Sequence, residues 1–219
     1  MEQESSYTTK RMVMVKKQLM NRDIRDKRVL DAMSSVPRHL FVPPEHRAFA
    51  YADGPLPIGN NQTISQPYIV ALMTQLLQLR GDEKVLEVGA GSGYQAAVLS
   101  FLAQQVHTIE RHPELARQAS QVLHELGYDN VTVHIGDGSL GLIDLAPFDA
   151  IIVTAAAPQV PQALLDQLAL NGRLVIPVGS AGAQYLELWR RKEGQLDHEA
   201  ILPVAFVPLI GEHGWQDRA

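Results

Sequence analysis

The sequence predicts a doubly wound α/β fold with a mostly parallel sheet, a helical extension at the amino end and antiparallel strands at the carboxyl end. Continuous apolar runs such as Ile151–Val153 and Leu174–Ile176 alternate with helix-length segments, as in a parallel sheet covered by helices on both faces. The chain has 219 residues, of which 46% are hydrophobic, so it can bury the core of one domain. Within that domain we expect amino-terminal helices and an active-site loop over 1–80, a cofactor-binding core over 81–180, and terminal strands over 181–219.

The amino-terminal part predicts two helices followed by a long irregular loop. Apolar residues recur at helical spacing over Arg11–Met20 and Asp23–Met33. Proline, glycine and asparagine are then frequent in Tyr51–Asn61, which predicts a loop without regular structure. Because such long loops are often functional, we expect this one to lie at the active site. A helix over Gln66–Leu79 follows.

The central part predicts alternating strands and helices, and the end predicts an antiparallel pair. The expected strands are Lys84–Gly89, Val106–Glu110, Val131–Gly136, Asp149–Thr154 and Arg173–Val178, and the expected helices are Tyr94–Leu102, Pro113–Leu126 and Pro161–Leu168. The final pair is Tyr185–Arg191 and His198–Leu209, joined by a turn at Lys192–Gly194.

A glycine-rich turn after the first parallel strand indicates a nucleoside cofactor. The turn lies within Val85-Leu-Glu-Val-Gly-Ala-Gly-Ser-Gly93, and Glu110 ends the next predicted strand. Glycines let the backbone approach a ligand closely, and a carboxylate at that strand end can accept hydrogen bonds from both ribose hydroxyls. The dinucleotide fingerprint needs a sixth-position glycine, but Tyr94 occupies that position, which favours a cofactor without a pyrophosphate.

Asp137 and Gly138 follow the third predicted strand of the parallel sheet. The carboxyl ends of parallel strands meet at the ligand-binding edge of such a sheet. A carboxylate there can accept a hydrogen bond from the exocyclic amine of adenine, so Asp137 and Gly138 are expected to complete the nucleoside pocket. Taken by themselves, the two residues also fit a simple turn.

Composition restricts the possible partners and chemistry. The formal charge is −5, so no general attraction to nucleic acid or anionic membranes is expected. Eight of the nineteen cationic residues lie in the first thirty residues. Aromatic residues do not alternate with these cations, as they would in a nucleic-acid-binding surface, so the cations predict a solvated helix face. The absence of cysteine excludes disulfides, thiolate metal sites and a cysteine nucleophile. With no leader or membrane span evident, we expect a cytoplasmic monomer without a metal.

The turn resembles the first motif, E/D-x-G-x-G-x-G, of S-adenosylmethionine-dependent methyltransferases, whose fold is Rossmann-like. The resemblance implies S-adenosylmethionine as the cofactor, S-adenosylhomocysteine as its product, and cofactor-binding roles for Glu87, Gly89, Gly91 and Gly93. Several acceptor classes lack their residues here. Cytosine C5 methylation needs a cysteine, and the chain has none. Amino-methylation of bases needs an Asn/Asp-Pro-Pro-aromatic loop after the fourth strand, and magnesium-dependent catechol methylation needs a carboxylate cluster. The fourth strand here leads into Thr154-Ala-Ala-Ala-Pro158, which supplies neither.

Further motifs resemble those of the protein-L-isoaspartate O-methyltransferase family, which methylates isoaspartyl residues in damaged proteins. The motifs stand at Thr63-Ile-Ser-Gln-Pro67, Val85–Tyr94, Asp149–Ala156, Gly172–Gly179 and Phe206-Val-Pro-Leu209, and the resemblance covers about Val13 to Leu209. Many bacterial members carry arginine just before the last motif, where this chain has Ala205. The resemblance implies that isoaspartyl proteins and peptides are the substrates.

The same resemblance implies Ser65 as the catalytic residue, Thr63 and Ile64 as cofactor neighbours, and Val207 and Leu209 as substrate contacts. We expect the last two on an edge strand, whose backbone could pair with an extended peptide. The residues alone also allow Ser65 to be a helix N-cap. Two other functions stay open at this point: a small-molecule or RNA methyltransferase on the same fold, and a non-catalytic cofactor-binding scaffold.

Overall fold

A seven-stranded sheet forms the centre of the computed structural model, which describes residues 2–193 and 195–217. Gly194, part of the expected terminal turn, lies outside these residues. The strand order is β5-β4-β3-β6-β7-β8-β9, with β3–β7 parallel and β8 and β9 antiparallel. The strands are β3 Lys84–Val88, β4 Gln105–Glu110, β5 Val131–Ile135, β6 Phe148–Val153, β7 Leu168–Ser180, β8 Ala183–Lys192 and β9 Gln195–Val204. The predicted fold class is confirmed.

Helices cover the sheet because its central strands are apolar on both faces. One face packs against helices α1–α5, and the other packs against α6, short 3₁₀ turns and the carboxyl-terminal segment. The helices are α1 Glu2–Met14, α2 Lys27–Ser35, α3 Pro67–Leu77, α4 Tyr94–Ser100, α5 Pro113–Glu125 and α6 Gln162–Asp166. The chain order reverses between β3 and β6, which opens a crevice at their carboxyl ends.

The amino-terminal helices are placed differently from the prediction. Helix α1 begins at Glu2 and continues into a π-helical turn over Val15–Met20. The second helix begins at Lys27 because the Asp26 side chain accepts hydrogen bonds from the backbone N–H groups of Arg28 and Val29. That capping is a local signal that apolar periodicity alone does not show.

The prediction of an irregular loop over Tyr51–Asn61 was right for Tyr51–Pro55 but wrong from Leu56 onwards. A two-stranded antiparallel hairpin lies there, with β1 Leu56–Gly59 and β2 Gln62–Ile64. Asn60 and Asn61 form its turn with positive φ values of 51° and 56°, which asparagine adopts more readily than most residues. Pro57 is tolerated because this small sheet leaves its edges unpaired within the described chain.

The prediction that the last strand, His198–Leu209, ends at Leu209 was also wrong. Strand β9 ends at Val204, and the chain then crosses the carboxyl edge of the parallel sheet. The carbonyl of Val207 accepts from the Ala156 N–H, and the Leu209 N–H donates to the Ala156 carbonyl, each over 2.8 Å. Val207 and Leu209 therefore lie beside the ligand crevice and not on the edge strand.

Candidate active site

The glycine turn after β3 has a left-handed backbone conformation that favours glycine. Gly89 and Gly91 have φ values of 96° and 52°. A Cβ at Gly89 would lie 2.4 Å from the Thr154 hydroxyl oxygen, so no side chain fits there. Gly93 packs against Ala119 and Leu123 of α5 and is thus a helix contact. The turn leaves the backbone of Gly89 and Gly91 facing a cavity.

Glu110 stands at the carboxyl end of β4, opposite this turn. Its carboxylate accepts 2.9 Å hydrogen bonds from the backbone N–H groups of Gly91 and His112. Its side chain borders a cavity that we call the Glu110 cavity. The residues lining the Glu110 cavity are Gln62, Thr63, Val88, Gly89, Gly91, Ile109, Glu110, Arg111, His112, Gly138, Thr154, Ala155 and Val207–Ile210.

Asp137 and Gly138 follow β5 but differ in what they contact. Gly138 lines the Glu110 cavity, whereas both Asp137 carboxylate oxygens already accept hydrogen bonds. The donors are the backbone N–H and hydroxyl of Ser139 and the backbone N–H of Glu212. Burial alone would raise the pKa of Asp137, but these hydrogen bonds outweigh it and hold the pKa below its usual range. To bind adenine, an Asp137 oxygen would therefore have to accept a further hydrogen bond beside those it already accepts within the protein.

Glu87 is a buried carboxylate in β3. Both of its carboxylate oxygens lack a hydrogen-bond donor within the described chain. Burial raises its pKa to about 8, the nearby Thr108 hydroxyl opposes the rise, and the charge of Glu110 adds to it. Glu87 lines a small cavity, the Glu87 cavity, together with Thr63–Ser65, Val70, Met73, Gly89–Ser92, Tyr94, Gln95 and Thr154. An unpartnered carboxyl group in a cavity wall is suited to a cationic ligand group, which would stabilise its ionised form.

Thr63, Ile64 and Ser65 connect the hairpin to helix α3. Thr63 lines the Glu110 cavity and the Glu87 cavity, and the mostly buried Ile64 lines only the latter. The N-cap of α3 is Gln66, without a side-chain capping bond, so the N-cap hypothesis for Ser65 was wrong. The half-buried hydroxyl of Ser65 makes no hydrogen bond to another described residue, which leaves it free to bind a ligand.

Ser65 also faces a third cavity of about 490 Å³, the Ser65 cavity. This size falls within the usual range for ligand pockets, roughly 300–1,000 Å³. Its described lining contains no charged side chain and consists of Pro55, Thr63, Ser65, Gln66, Ile69, Thr154 and Pro203–Val207. The Ser65 cavity can therefore hold a polar group without placing a cation against it.

The two predicted substrate contacts differ in exposure. Val207 is half-buried and lines both the Glu110 cavity and the Ser65 cavity. Leu209 is buried in the hydrophobic core and borders only the Glu110 cavity. Ala156 already binds the Val207 carbonyl and the Leu209 N–H, so these two backbone groups are not open to pairing with a peptide.

Thr154 is the main site residue that the sequence reasoning missed. It lines all three cavities, as Thr63 does, and its hydroxyl lies 2.7 Å from the Gly89 carbonyl, to which it donates. Thr154 directly follows β6 at the carboxyl edge of the sheet, and this signal could have identified it. The corresponding positions after β4 and β5 identified Glu110 and Asp137. Thr63 and Thr154 together form the wall at which the three cavities meet.

No helix over 2–193 or 195–217 has the length and apolar character needed to cross a membrane. Within the same ranges, no group of three histidine or acidic side chains is placed to hold a metal ion.

The family of Protein-L-isoaspartate(D-aspartate) O-methyltransferase (PCMT) matches this chain over residues 9–214. A protein-L-isoaspartate O-methyltransferase of Roseiflexus sp. (strain RS-1) is 59% identical over 197 residues, covering 90% of each chain. Protein-L-isoaspartate O-methyltransferase 1 of Syntrophobacter fumaroxidans is 57% identical over 203 residues, covering 93% of this chain and 95% of the relative.

Solved structures are similar over nearly the whole chain. One protein-L-isoaspartate O-methyltransferase has a TM-score of 0.82 at 27% identity, covering 94% of this chain and 67% of that one. A Plasmodium falciparum protein, proposed to have the same activity and solved with S-adenosyl-L-homocysteine, has a TM-score of 0.80 at 26% identity. That match covers 91% of this chain and 98% of the other.

Proposed function

The chain belongs to the protein-L-isoaspartate(D-aspartate) O-methyltransferase family, and we infer that it methylates isoaspartyl residues of damaged proteins with S-adenosylmethionine. The acceptor is the free α-carboxylate, which an isoaspartyl residue exposes because its backbone continues through the side-chain carboxyl. The methyl ester carbonyl is more electrophilic than the carboxylate and carries a better leaving group, the methoxy group. Attack by the following backbone nitrogen then expels methanol and closes a succinimide, whose hydrolysis can restore aspartate.

The observation that best supports this reaction is the meeting of three cavities at Thr63 and Thr154. Two of them contain carboxylates, Glu110 and Glu87, whereas the described lining of the Ser65 cavity has no charged side chain. A cationic nucleoside cofactor fits the first two, and an anionic acceptor fits the third. The shared wall is where the two reactants would meet.

The residues of the Glu110 and Glu87 cavities fit S-adenosylmethionine. Glu110 would accept hydrogen bonds from the ribose hydroxyls, because each of its oxygens has a lone pair left after binding Gly91 or His112. Gly138 would lie against the nucleoside, and the unpaired oxygens of Glu87 would accept from the cofactor's ammonium group. When bound, the cofactor supplies a methyl group on a sulfonium, which a nucleophile can take by direct displacement.

The acceptor needs no general base. A free carboxyl titrates near ~4, so the acceptor is already ionised at neutral pH. The protein instead has to orient the carboxylate and exclude water. The Ser65 hydroxyl can donate one neutral hydrogen bond to one acceptor oxygen and leave the other free to react. A cation at this position would hold the nucleophile's lone pairs and lower its reactivity.

The substrate peptide would enter along the Ser65 cavity, with Val207 and Phe206 on one wall and Ile69 on the other. Ala205 is exposed, lines this cavity and brings no charge to it. Leu209 would affect substrate binding only indirectly, by packing against the Glu110 cavity.

The decisive experiment is transfer of a labelled methyl group to an isoaspartyl peptide beside the matching aspartyl peptide. We expect label in the isoaspartyl peptide only, as a base-labile ester. Transfer to RNA or to small molecules in parallel assays, without transfer to the peptide, would favour another methyltransferase class. Cofactor binding without any product would favour a scaffold.

A monomeric, cytoplasmic enzyme is part of the proposal, and light scattering of the purified protein tests its oligomeric state.

A further inference from the structure

Arg38 is a fully buried arginine close to the catalytic region. Its side chain has no exposed surface, and no carboxylate in the described chain lies within ion-pair distance of it. Its Nε donates to the Ala50 carbonyl, and one terminal nitrogen, Nη2, donates to the Ser65 carbonyl, each over 2.7 Å. The other terminal nitrogen, Nη1, has no hydrogen-bond partner among the described residues.

Such an arrangement is unfavourable for stability alone. A buried charge without a counter-ion loses its hydration, and an unpaired N–H adds to that cost. Burial accordingly lowers the pKa of Arg38, although the nearby Tyr94 and Tyr51 oppose the shift. An apolar side chain would avoid these losses but would leave the carbonyls of Ala50 and Ser65 without this donor. The position of Arg38 therefore calls for a role besides packing.

Arg38 joins three segments that surround the reaction site. Ala50 precedes the β1–β2 hairpin, and Ser65 follows it. The guanidinium also lies 4.7 Å from the ring centre of Tyr94, the residue that follows the glycine turn and lines the Glu87 cavity. A single rigid group thus links the chain before and after the hairpin to the end of the glycine turn.

Ser65 has few other restraints. It lies between β2 and α3, outside any helix or strand, and its hydroxyl makes no hydrogen bond to another described residue. The bond from Arg38 to the Ser65 carbonyl fixes the peptide unit that orients the Ser65 side chain. We propose that Arg38 is a positioning residue for methyl transfer, which holds Ser65 so that its hydroxyl points at the acceptor carboxylate. This inference rests on the proposed function and on the proposed role of Ser65.

Arginine is suited to this role because its planar group carries several donors in fixed directions. Lysine keeps the charge but presents one compact ammonium, so it cannot hold both carbonyls in the same geometry. We expect Arg38→Lys to lower kcat by roughly tenfold to a hundredfold, the loss that a small misplacement of a reacting group can cause. Affinity for S-adenosylhomocysteine should stay within about twofold, since Glu110 and Gly138 are untouched.

Arg28→Lys is the matched control. Arg28 also donates from its guanidinium to two backbone carbonyls of distant segments, those of Leu79 and Leu102, but it lies away from Ser65. We expect Arg28→Lys to lower thermal stability without changing kcat. Arg38→Gln is a second variant, which removes the buried charge and can still donate to one carbonyl. All assays are run below the temperature at which any variant begins to unfold.

A double-mutant cycle with Ser65→Ala separates positioning from general loosening of the fold. If Arg38 acts through Ser65, Arg38→Lys or Arg38→Gln should lower kcat in the parent but cause little further loss in Ser65→Ala. Losses that multiply, or a parent-like kcat in both folded Arg38 variants, would overturn the inference. So would a drop caused by Arg38→Lys while Ser65→Ala is fully active. A parent without methyl transfer to isoaspartyl peptide would overturn the proposed function and this inference together.

Discussion

The Glu110 carboxylate accepts a 2.9 Å hydrogen bond from the backbone N–H of Gly91, so the acid at the end of β4 is fixed to the glycine turn after β3. The second carboxylate oxygen accepts from the His112 N–H at the same distance. Two neighbouring strands thus present one preorganised acceptor to the cofactor cavity. Preorganisation matters because ordering these groups during binding would reduce affinity.

We expect Glu110→Ala to weaken binding of S-adenosylhomocysteine by roughly 1.5–3 kcal/mol, the contribution typical of hydrogen bonds to a charged group. Glu110→Gln keeps one acceptor oxygen and should lose less. Calorimetric titration measures both. Glu114→Ala, which removes an exposed carboxylate near the start of α5, is the control and should bind normally. Normal affinity in Glu110→Ala would contradict the ribose contact.

Ser65→Ala should lower kcat by roughly tenfold to a thousandfold while leaving cofactor affinity nearly unchanged, because the hydroxyl orients the acceptor in the Ser65 cavity. Steady-state kinetics with isoaspartyl peptide, together with calorimetry, separate the two effects. Ser34→Ala removes a hydroxyl that bonds to the Asp31 carbonyl, far from this cavity, and should have parent activity. Equal kcat in Ser65→Ala and the parent would rule out the catalytic role.

Cofactor binding should release a proton near neutral pH. In the ligand-free protein the pKa of Glu87 is about 8, so its carboxyl is mostly protonated at pH 7. An ammonium group in the Glu87 cavity would stabilise the carboxylate and lower that pKa. Titration calorimetry at pH 7 in buffers of different ionisation enthalpy measures the released protons. Glu87→Gln should abolish the release, and an unchanged release in that variant would refute the assignment.

Glu87 should also make the ligand-free fold less stable at higher pH. Its pKa in the fold is about 8 against a reference value of 4.5, so the unfolded chain gives up the proton first. The folded state binds more protons between these values, and its stability falls as pH rises from about 4.5 to about 8. Glu87→Gln should therefore raise Tm relative to the parent more at pH 8 than at pH 5. An equal difference at both pH values would argue against the raised pKa.

The histidine pair in β4 and β5 should destabilise the fold in mild acid. His107 Nδ1 and His134 Nε2 lie 3.2 Å apart. Burial lowers the pKa of both rings, and the charges of His134 and Lys84 lower that of His107 further. The unfolded chain then binds protons more readily, so stability is lost as pH falls below about 6.5. His134→Gln should reduce this loss in urea unfolding at pH 5.5 against pH 7.5, and an unchanged loss would contradict the prediction.

Local sequence signals were sufficient for the central sheet and for much of the cofactor site. Apolar runs located the inner strands β6 and β7 because both of their faces are covered, whereas β5 is a partly exposed edge strand. Turn chemistry and strand ends identified Gly89, Gly91 and Glu110, since the carboxyl ends of parallel strands always meet at one edge.

Only the tertiary structure decided which distant segments meet. The Leu56–Ile64 segment forms a hairpin because Asn60 and Asn61 accept positive φ and the two strands pair with each other. Leu209 is buried, and Thr154 lies where the cavities meet, because the residues after β6 pair with β7 and with the carboxyl-terminal segment at one edge of the sheet. The burial of Arg38 against Ser65 likewise depends on residues far apart in the chain. Sequence periodicity reports which face of an element is apolar, but it contains no information on which partner covers that face.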